Sequence, residues 1–134
     1  CLRSDLPFTL IPLDCTHQAL TTAKRVARFR AMKNKSGPAC ADLLEFFERF
    51  DEQKYGTDGG PLHDPCVIAW LLQPGLFTSR DVNVVVECES SLTMGMTVID
   101  WWRVTDRKAN ATVCRGIDAE GIFNRLSERI ETLA

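Results

Sequence analysis

The spacing of apolar residues predicts one strand and three helices in the first part of the chain. Residues Phe8–Leu13 are mostly apolar, as in a buried strand, although Pro12 cannot donate a ladder hydrogen bond. Apolar residues then recur at helical spacing, flanked by residues that favour helix ends. The predicted helices are one that Thr21 or Thr22 caps and that reaches about Met32, one over Cys40–Phe50, and one from Asp64 to just before Pro74.

After Pro74 the chain changes to the alternation of apolar and polar residues that is typical of strands. Three strands are predicted, at Val82–Cys88, Met96–Val104 and Ala111–Gly116. Their short polar connections favour an antiparallel β-meander, and Asp118 then caps a last helix. The inner face of that helix holds Ile122, Phe123, Leu126, Ile130 and Leu133. The whole is an α/β chain, but an unbalanced one, because its first strand has no visible parallel neighbour. We therefore expect that an N-terminal part of the fold is missing.

Composition and charge narrow the class of protein. The chain has 134 residues, 45% of them hydrophobic and 25% charged, as expected for a single globular domain. A net charge of −2 gives no electrostatic footprint for nucleic acid or for an anionic membrane, and no apolar run is long enough to span a bilayer. The chain begins with Cys1 and shows no signal peptide, so we expect either a processed start or a piece of something longer.

The cysteines favour free thiols over a metal site or a disulfide framework. The six of them are spread almost evenly and form no C-x-x-C pair, which leaves a zinc site without support. A chain of this length can bury its own core and does not depend on disulfides. Reduced thiols, and with them a cytoplasmic location, are therefore predicted.

The densest candidate for chemistry is the segment Gly59–Cys66, where a glycine loop leads to His63 and Asp64 at the start of a helix. The plainer interpretation is structural: Asp64 caps the helix, with Pro65 at its first position, and His63 is a hydrogen-bonded loop histidine. The functional interpretation joins the two residues. A carboxylate at a rigid helix start can hold a hard cation, and an adjacent histidine can donate a proton near neutral pH.

Weaker candidates each have a plainer explanation. Asp14, followed by Thr16 and His17, comes after the first strand, where open α/β sheets bind ligands, but a loop carboxylate more often bonds local backbone N–H groups. Trp101 and Trp102 can stack a base or a sugar, but paired aromatics in a strand are more often packing.

Two further groups of side chains also suggest a function but have a plainer structural explanation. Cys66 lies three residues after His63, which suggests a thiol–imidazole pair, but no third group is present to orient it. The aromatic face formed by Phe46, Phe47 and Phe50 is most simply part of the core.

Several of these segments resemble one known family. Residues Gly60–Cys66, continued by Ile68–Leu72 and Pro74, resemble the C-terminal signature of the inosine-uridine-preferring nucleoside hydrolases. Leu13–Gln18 is similar to that family's L-D-V-T-H segment, and two downstream segments, Gly95–Asp100 and Asn110–Val113, also match in the same order. The resemblance covers essentially the whole chain and is nearest to the bacterial pyrimidine-specific ribonucleoside hydrolases. It implies a Rossmann-like α/β fold.

The resemblance implies hydrolysis of the N-glycosidic bond of a ribonucleoside to base and ribose. His63 matches the family's histidine that faces the leaving base, and Asp64 matches a C-terminal ligand of its Ca²⁺ ion. The family's N-terminal D-x-D-x-x-x-D-D cluster and its ribose-binding E-F-N segment are absent from this sequence. Purine-accepting members use tyrosines in the helix that Cys40–Phe50 matches, whereas this sequence has Phe47, Phe50 and a single later Tyr55, which favours a pyrimidine-type or altered base pocket.

The sequence is therefore interpreted as a C-terminal fragment, residues 1–134, of a single nucleoside hydrolase domain. Its expected partners are a ribonucleoside, the N-terminal half of the domain and, from the family, further copies of itself, but neither nucleic acid nor membrane. Alone, the fragment is expected to be inactive and to bind Ca²⁺ weakly. Two alternatives stay open: a non-catalytic binding or assembly module that reuses this half of the fold, and an inactive fragment made by proteolysis or cloning.

Overall fold

The computed structural model describes residues 2, 4, 6–56 and 58–133, with side chains for all of them except 50–55. Within these residues one strand is followed by four helices, then four strands and a last helix, so helices and strands are combined as in an α/β chain. The strands are β1 (Thr9–Leu10), β2 (Phe77–Val82), β3 (Val84–Val86), β4 (Thr97–Ile99) and β5 (Ala111–Ile117). The helices are α1 (Leu13–Thr16), α2 (Ala23–Arg30), α3 (Ser36–Tyr55), α4 (Asp64–Leu72) and α5 (Ala119–Glu131), with a 3₁₀ turn at Pro74–Leu76 between α4 and β2.

The main sheet has the strand order β1-β5-β2, with β5 in the middle. Strand β1 runs parallel to β5, pairing Thr9 with Thr112, so the expectation that the first strand lacks a parallel neighbour is wrong. The strand is also shorter than the predicted Phe8–Leu13. Its chain turns at Pro12, whose carbonyl accepts the first hydrogen bonds of α1, and this turn carries the chain away from the sheet.

The strands in the second half of the chain do not pair in sequence order, as a simple meander would require. Strands β3 and β4 form the expected antiparallel hairpin, but β5 pairs antiparallel with β2. Asn110 explains the change, because its side chain bonds both the N–H and the carbonyl of Val84 while its backbone N–H bonds the carbonyl of Val82. Strand β4 ends at Ile99, well before the predicted Val104. The carboxylate of Asp100 accepts hydrogen bonds from the N–H groups of Val104 and Thr105 and from the Thr105 hydroxyl, which folds the chain into a turn.

The helix boundaries follow the sequence more closely. Asp118 caps α5 as predicted, accepting a 3.0 Å hydrogen bond from the N–H of Gly121. Thr22 precedes α2, although its side chain makes no capping bond. Helix α3 begins at Ser36, earlier than predicted, because Asn34 accepts a bond from the N–H of Gly37 at the helix start. The main core lies between the helices and the sheet, around Phe29, Phe123 and Ile122.

Two apolar helix faces are not buried within the chain. On α3 the interpretation of the aromatic face as core is wrong for Phe46 and Phe47, which are 60% and 63% exposed, while Phe50 lies outside the described side chains. On α4, four large apolar side chains are exposed, namely Val67, Ile68, Leu71 and Leu72. At the end of the chain Leu133 is also exposed, unlike the rest of its predicted face. Contiguous apolar surface of this kind is typical of a face that packs against more protein.

Candidate active site

The candidate site is assembled by a short backbone pairing that we call the clamp, formed by residues 19–21 and 60–62. The N–H of Thr21 donates to the carbonyl of Gly60 at 2.8 Å, and the N–H of Leu62 donates to the carbonyl of Ala19 at 2.9 Å. The hydroxyl of Thr21, which is buried, also donates to the carbonyl of Gly60 at 2.8 Å. The clamp therefore fixes the end of the glycine loop against the segment that follows α1.

Gly59 enters the clamp in a conformation that suits only glycine. Its φ is +101°, and a Cβ built on it would lie 2.7 Å from the carbonyl oxygen of Thr21. The backbones of the two segments can approach this closely only because no side chain stands between them.

The clamp brings together two segments that lie far apart in the sequence, the one that follows β1 and the one that begins α4. The hydroxyl oxygen of Thr16 lies 2.8 Å from Nδ1 of His63, although the two residues are 47 positions apart. The ring of His17 lies beside that of His63, with centroids 5.5 Å apart. Asp14, by contrast, is exposed, so of the three polar residues that follow β1 the last two approach His63.

Asp64 occupies the first turn of α4 and does not cap it. His63 holds the N-cap position and makes no side-chain capping bond, so the interpretation of Asp64 as the cap is wrong. The helix begins at Asp64 with Pro65 next, a residue whose fixed φ suits a helix start. The carboxylate of Asp64 is exposed at a helix N-terminus, where negative charge is favoured.

The described residues do not by themselves make a calcium site. Calcium takes about six to eight oxygen ligands, usually with several carboxylates among them. Within the described part of the chain, no three His, Cys, Asp or Glu side chains come together as a metal cluster. Asp64 offers the right kind of donor, but the site would need further ligands from outside this set.

A cavity of about 270 Å³ joins α3 to the start of α4. His63, Asp64 and Pro61 form one wall, and Leu43, Phe47 and Glu48 of α3 form another. Of the three aromatic residues predicted at the base pocket, Phe47 therefore shares a cavity with His63. The side chains of Phe50 and Tyr55 lie outside the described residues.

This geometry can be compared with known proteins. The family model of the inosine-uridine preferring nucleoside hydrolases matches residues 1–124. The chain belongs to that family. An uncharacterized protein of Schizosaccharomyces pombe is 47% identical over 98% of this chain and 43% of its own length. The pyrimidine-specific ribonucleoside hydrolase RihA of Shewanella sp. strain ANA-3 is 44% identical over 96% of the chain and 41% of its own.

Solved structures of nucleoside hydrolases share the fold of this chain. A purine-preferring ribonucleoside hydrolase from Gardnerella vaginalis superposes with a TM-score of 0.81 at 33% identity, over 97% of this chain and 41% of that one. A plant nucleoside hydrolase superposes with a TM-score of 0.77 at 23% identity, over 93% and 41%. The predicted family and fold class are thus confirmed. The chain spans about two fifths of the length of these relatives.

The remaining candidate, Cys66, has a structural role. Cys66 is buried and donates to the carbonyl of Leu62 at 2.9 Å, and burial, reinforced by Cys15, raises the pKa of the Cys66 thiol to about 12. A thiol held protonated in this way is a poor nucleophile. The described cysteines are all free thiols, as predicted, and Cys1 lies outside the described residues.

The tryptophan pair divides between packing and exposure. Trp101 packs against the smaller core cluster, and the guanidinium groups of Arg80 and Arg115 lie 5.0 and 5.2 Å from its ring centre, which confirms the packing interpretation for this residue. Trp102 is 72% exposed. No helix in the described ranges has the length and apolar character needed to cross a bilayer.

One residue of the site was not identified from the sequence. In the sequence Thr16 is simply a polar neighbour of Asp14, and no local periodicity links it to His63. The available signal was the resemblance itself, which includes both the segment around Thr16 and the segment around His63 without giving their contact.

Proposed function

We propose that the protein carrying this chain hydrolyses the N-glycosidic bond of ribonucleosides, with His63 assisting departure of the base. The single observation that carries the proposal is the position of His63, which is fixed by the clamp and by Thr16 at the wall of a cavity. The matching family and the names of the relatives support the reaction class.

The chemistry suits a histidine at this position. The bond from C1′ of ribose to the base nitrogen breaks, and its electron pair leaves with the base. The oxygen of water bonds to C1′, and one proton of that water is released as the base gains one. A histidine can supply that proton or a hydrogen bond to the departing base, which lowers the barrier to bond breaking.

Asp64 is proposed as one carboxylate ligand of a calcium ion in the complete enzyme. When bound, such an ion would hold a water molecule and the ribose hydroxyls. Its other ligands would come from the N-terminal half of the domain, the expected partner of residues 1–134. The exposed apolar faces of α3 and α4 support this, because they offer surface for that half to cover.

The base pocket is proposed to accept pyrimidine ribonucleosides. Phe47 lines the cavity with His63, and the RihA relatives are described as pyrimidine-specific. Phe50 and Tyr55 are kept as candidate pocket residues from the sequence. Formation of homo-oligomers and a cytoplasmic location stay predictions.

The decisive experiment measures His63→Ala on two substrates in the complete protein. General acid–base assistance is worth about 10²- to 10⁴-fold in rate, so His63→Ala should lower kcat on uridine by that order with little change in KM. A nitrophenyl riboside, whose leaving group needs no proton, should be affected far less. Equal losses on both substrates in the His63 variant would contradict the proposed role.

A further inference from the structure

The contact between Thr16 and His63 is a hydrogen bond between a hydroxyl and a ring nitrogen, so it affects where the histidine carries its proton. Thr16 is buried at 3% exposure, so its hydroxyl must find its partners inside the protein. The hydroxyl oxygen lies 2.8 Å from Nδ1 of His63 and 3.5 Å from the carbonyl oxygen of Leu13. A hydroxyl carries one proton, so two arrangements are possible: Thr16 donates to Nδ1, or Nδ1–H donates to the hydroxyl oxygen while Thr16 donates to the Leu13 carbonyl.

The two separations favour one of these arrangements. A separation of 2.8 Å is typical of a good hydrogen bond, whereas 3.5 Å is at the limit of one. If Nδ1 were the donor, the buried Thr16 hydroxyl would have only the distant Leu13 carbonyl for its own proton. Donation from Thr16 to Nδ1 gives that proton a good acceptor, and in this arrangement the proton of the neutral ring sits on Nε2.

The surroundings hold the histidine ring in this orientation. His63 lines the cavity while Thr16 does not, so the hydrogen bond anchors the ring from the side away from the ligand space. The ring of His17 lies against it at 5.5 Å, and the branched side chain of Thr16 has few alternative rotamers. The N–H of Thr16 is itself bonded to the carbonyl of Pro12 at 3.1 Å, which fixes the hydroxyl relative to β1.

We propose that Thr16 is a positioning residue for the reaction: its hydroxyl selects the Nε2–H tautomer of His63 and directs that N–H toward the departing base. This inference rests on the leaving-group role proposed for His63. It adds a residue that does not touch the substrate and that acts only through the histidine.

The test compares Thr16→Val with Thr16→Ser in the complete protein. Valine keeps the branched shape and removes the hydroxyl, whereas serine keeps the hydroxyl. Thr16→Val should lower kcat on uridine by roughly tenfold, the order expected for losing one buried hydrogen bond, with little change in KM. The nitrophenyl riboside should be cleaved nearly as well as by the wild type. Thr16→Ser should recover most of the uridine rate.

Two further measurements separate positioning from a merely structural role. In a His63→Ala background, Thr16→Val should cost nothing more on uridine, because Thr16 acts only through the ring. In the wild type, ¹⁵N spectra of the His63 ring, identified by its absence from the His63 variant, should show the proton on Nε2. The ¹⁵N measurement uses the wild type and no Thr16 variant, so it still tests the tautomer if Thr16→Val folds poorly.

The outcomes distinguish the inference from the function on which it rests. A wild-type ring protonated on Nδ1, an additive loss in the double variant, or equal losses on both substrates for Thr16→Val would each overturn the positioning role. The leaving-group role fails separately, if His63→Ala itself lowers the rate equally on uridine and on the nitrophenyl riboside.

Discussion

Replacing Gly59 by alanine should open the clamp that positions His63. The added Cβ would lie 2.7 Å from the carbonyl oxygen of Thr21 and 2.8 Å from its carbonyl carbon. Both are backbone atoms, so no flexible side chain can move aside to make room. The φ of +101° is itself unfavourable for alanine.

The magnitude follows from these two effects. A residue with a Cβ at positive φ costs about 1–2 kcal/mol. Relieving the clash requires residues 19–21 and 60–62 to separate, which breaks three hydrogen bonds worth about 0.5–1.5 kcal/mol each. We expect Gly59→Ala to lower the free energy of unfolding by about 3–5 kcal/mol, a large part of the ~5–15 kcal/mol that holds a typical domain together.

Gly56→Ala is the matched control. Its φ is +63°, but a Cβ there meets nothing within 4 Å, so only the backbone strain of about 1 kcal/mol applies. Urea unfolding of the wild type and both variants gives the two changes in free energy. If Gly59→Ala is no more destabilising than Gly56→Ala, the clamp does not depend on close backbone approach at Gly59, and the reasoning is refuted.

Two further predictions concern the chain alone and its thiols. The purified 134-residue chain should bind calcium weakly by calorimetry and should not cleave uridine, because Asp64 is its only expected ligand; turnover at the usual enzyme scale of about 1–10³ s⁻¹ would contradict this. Burial raises the pKa of Cys15 and Cys114 to about 11 and that of Cys66 to about 12. Iodoacetamide at about pH 8 should therefore modify the exposed Cys88 well before these three, as peptide mapping can show.

Helix ends can be predicted from the sequence, because they depend on residues that are neighbours in the chain. The cap at Asp118 and the start of α4 at Asp64 follow from residue types that suit helix ends, and the structure has both. Strand partners were harder to predict, because they depend on distant contacts. Strand β5 pairs with β1 and β2, and Asn110 just before it bonds the backbone at Val84 and Val82; no alternation of apolar residues reveals these contacts.

In the candidate site too, the residue types can be seen in the sequence, whereas the contacts between distant segments cannot. A histidine and an aspartate at a helix start are visible in the sequence, and so is a glycine-rich loop before them. The requirement for glycine at position 59 is not visible, because it arises from the carbonyl of Thr21, which lies 38 positions earlier in the chain. The bond from Thr16 to His63 likewise joins two segments that only the clamp brings together.

Hydrophobic periodicity also identifies which faces need burial without identifying what buries them. Helix α3 carries an apolar face, and Leu43 and Phe47 on that face are exposed in this chain. The same two side chains line the cavity that His63 and Asp64 share. Protein that packs on this face would therefore also close the cavity, exclude water from it and bring further polar groups toward Asp64. Under the proposed function, stability and activity then depend on one contact surface, so variants that weaken packing on Leu43 should also lose activity.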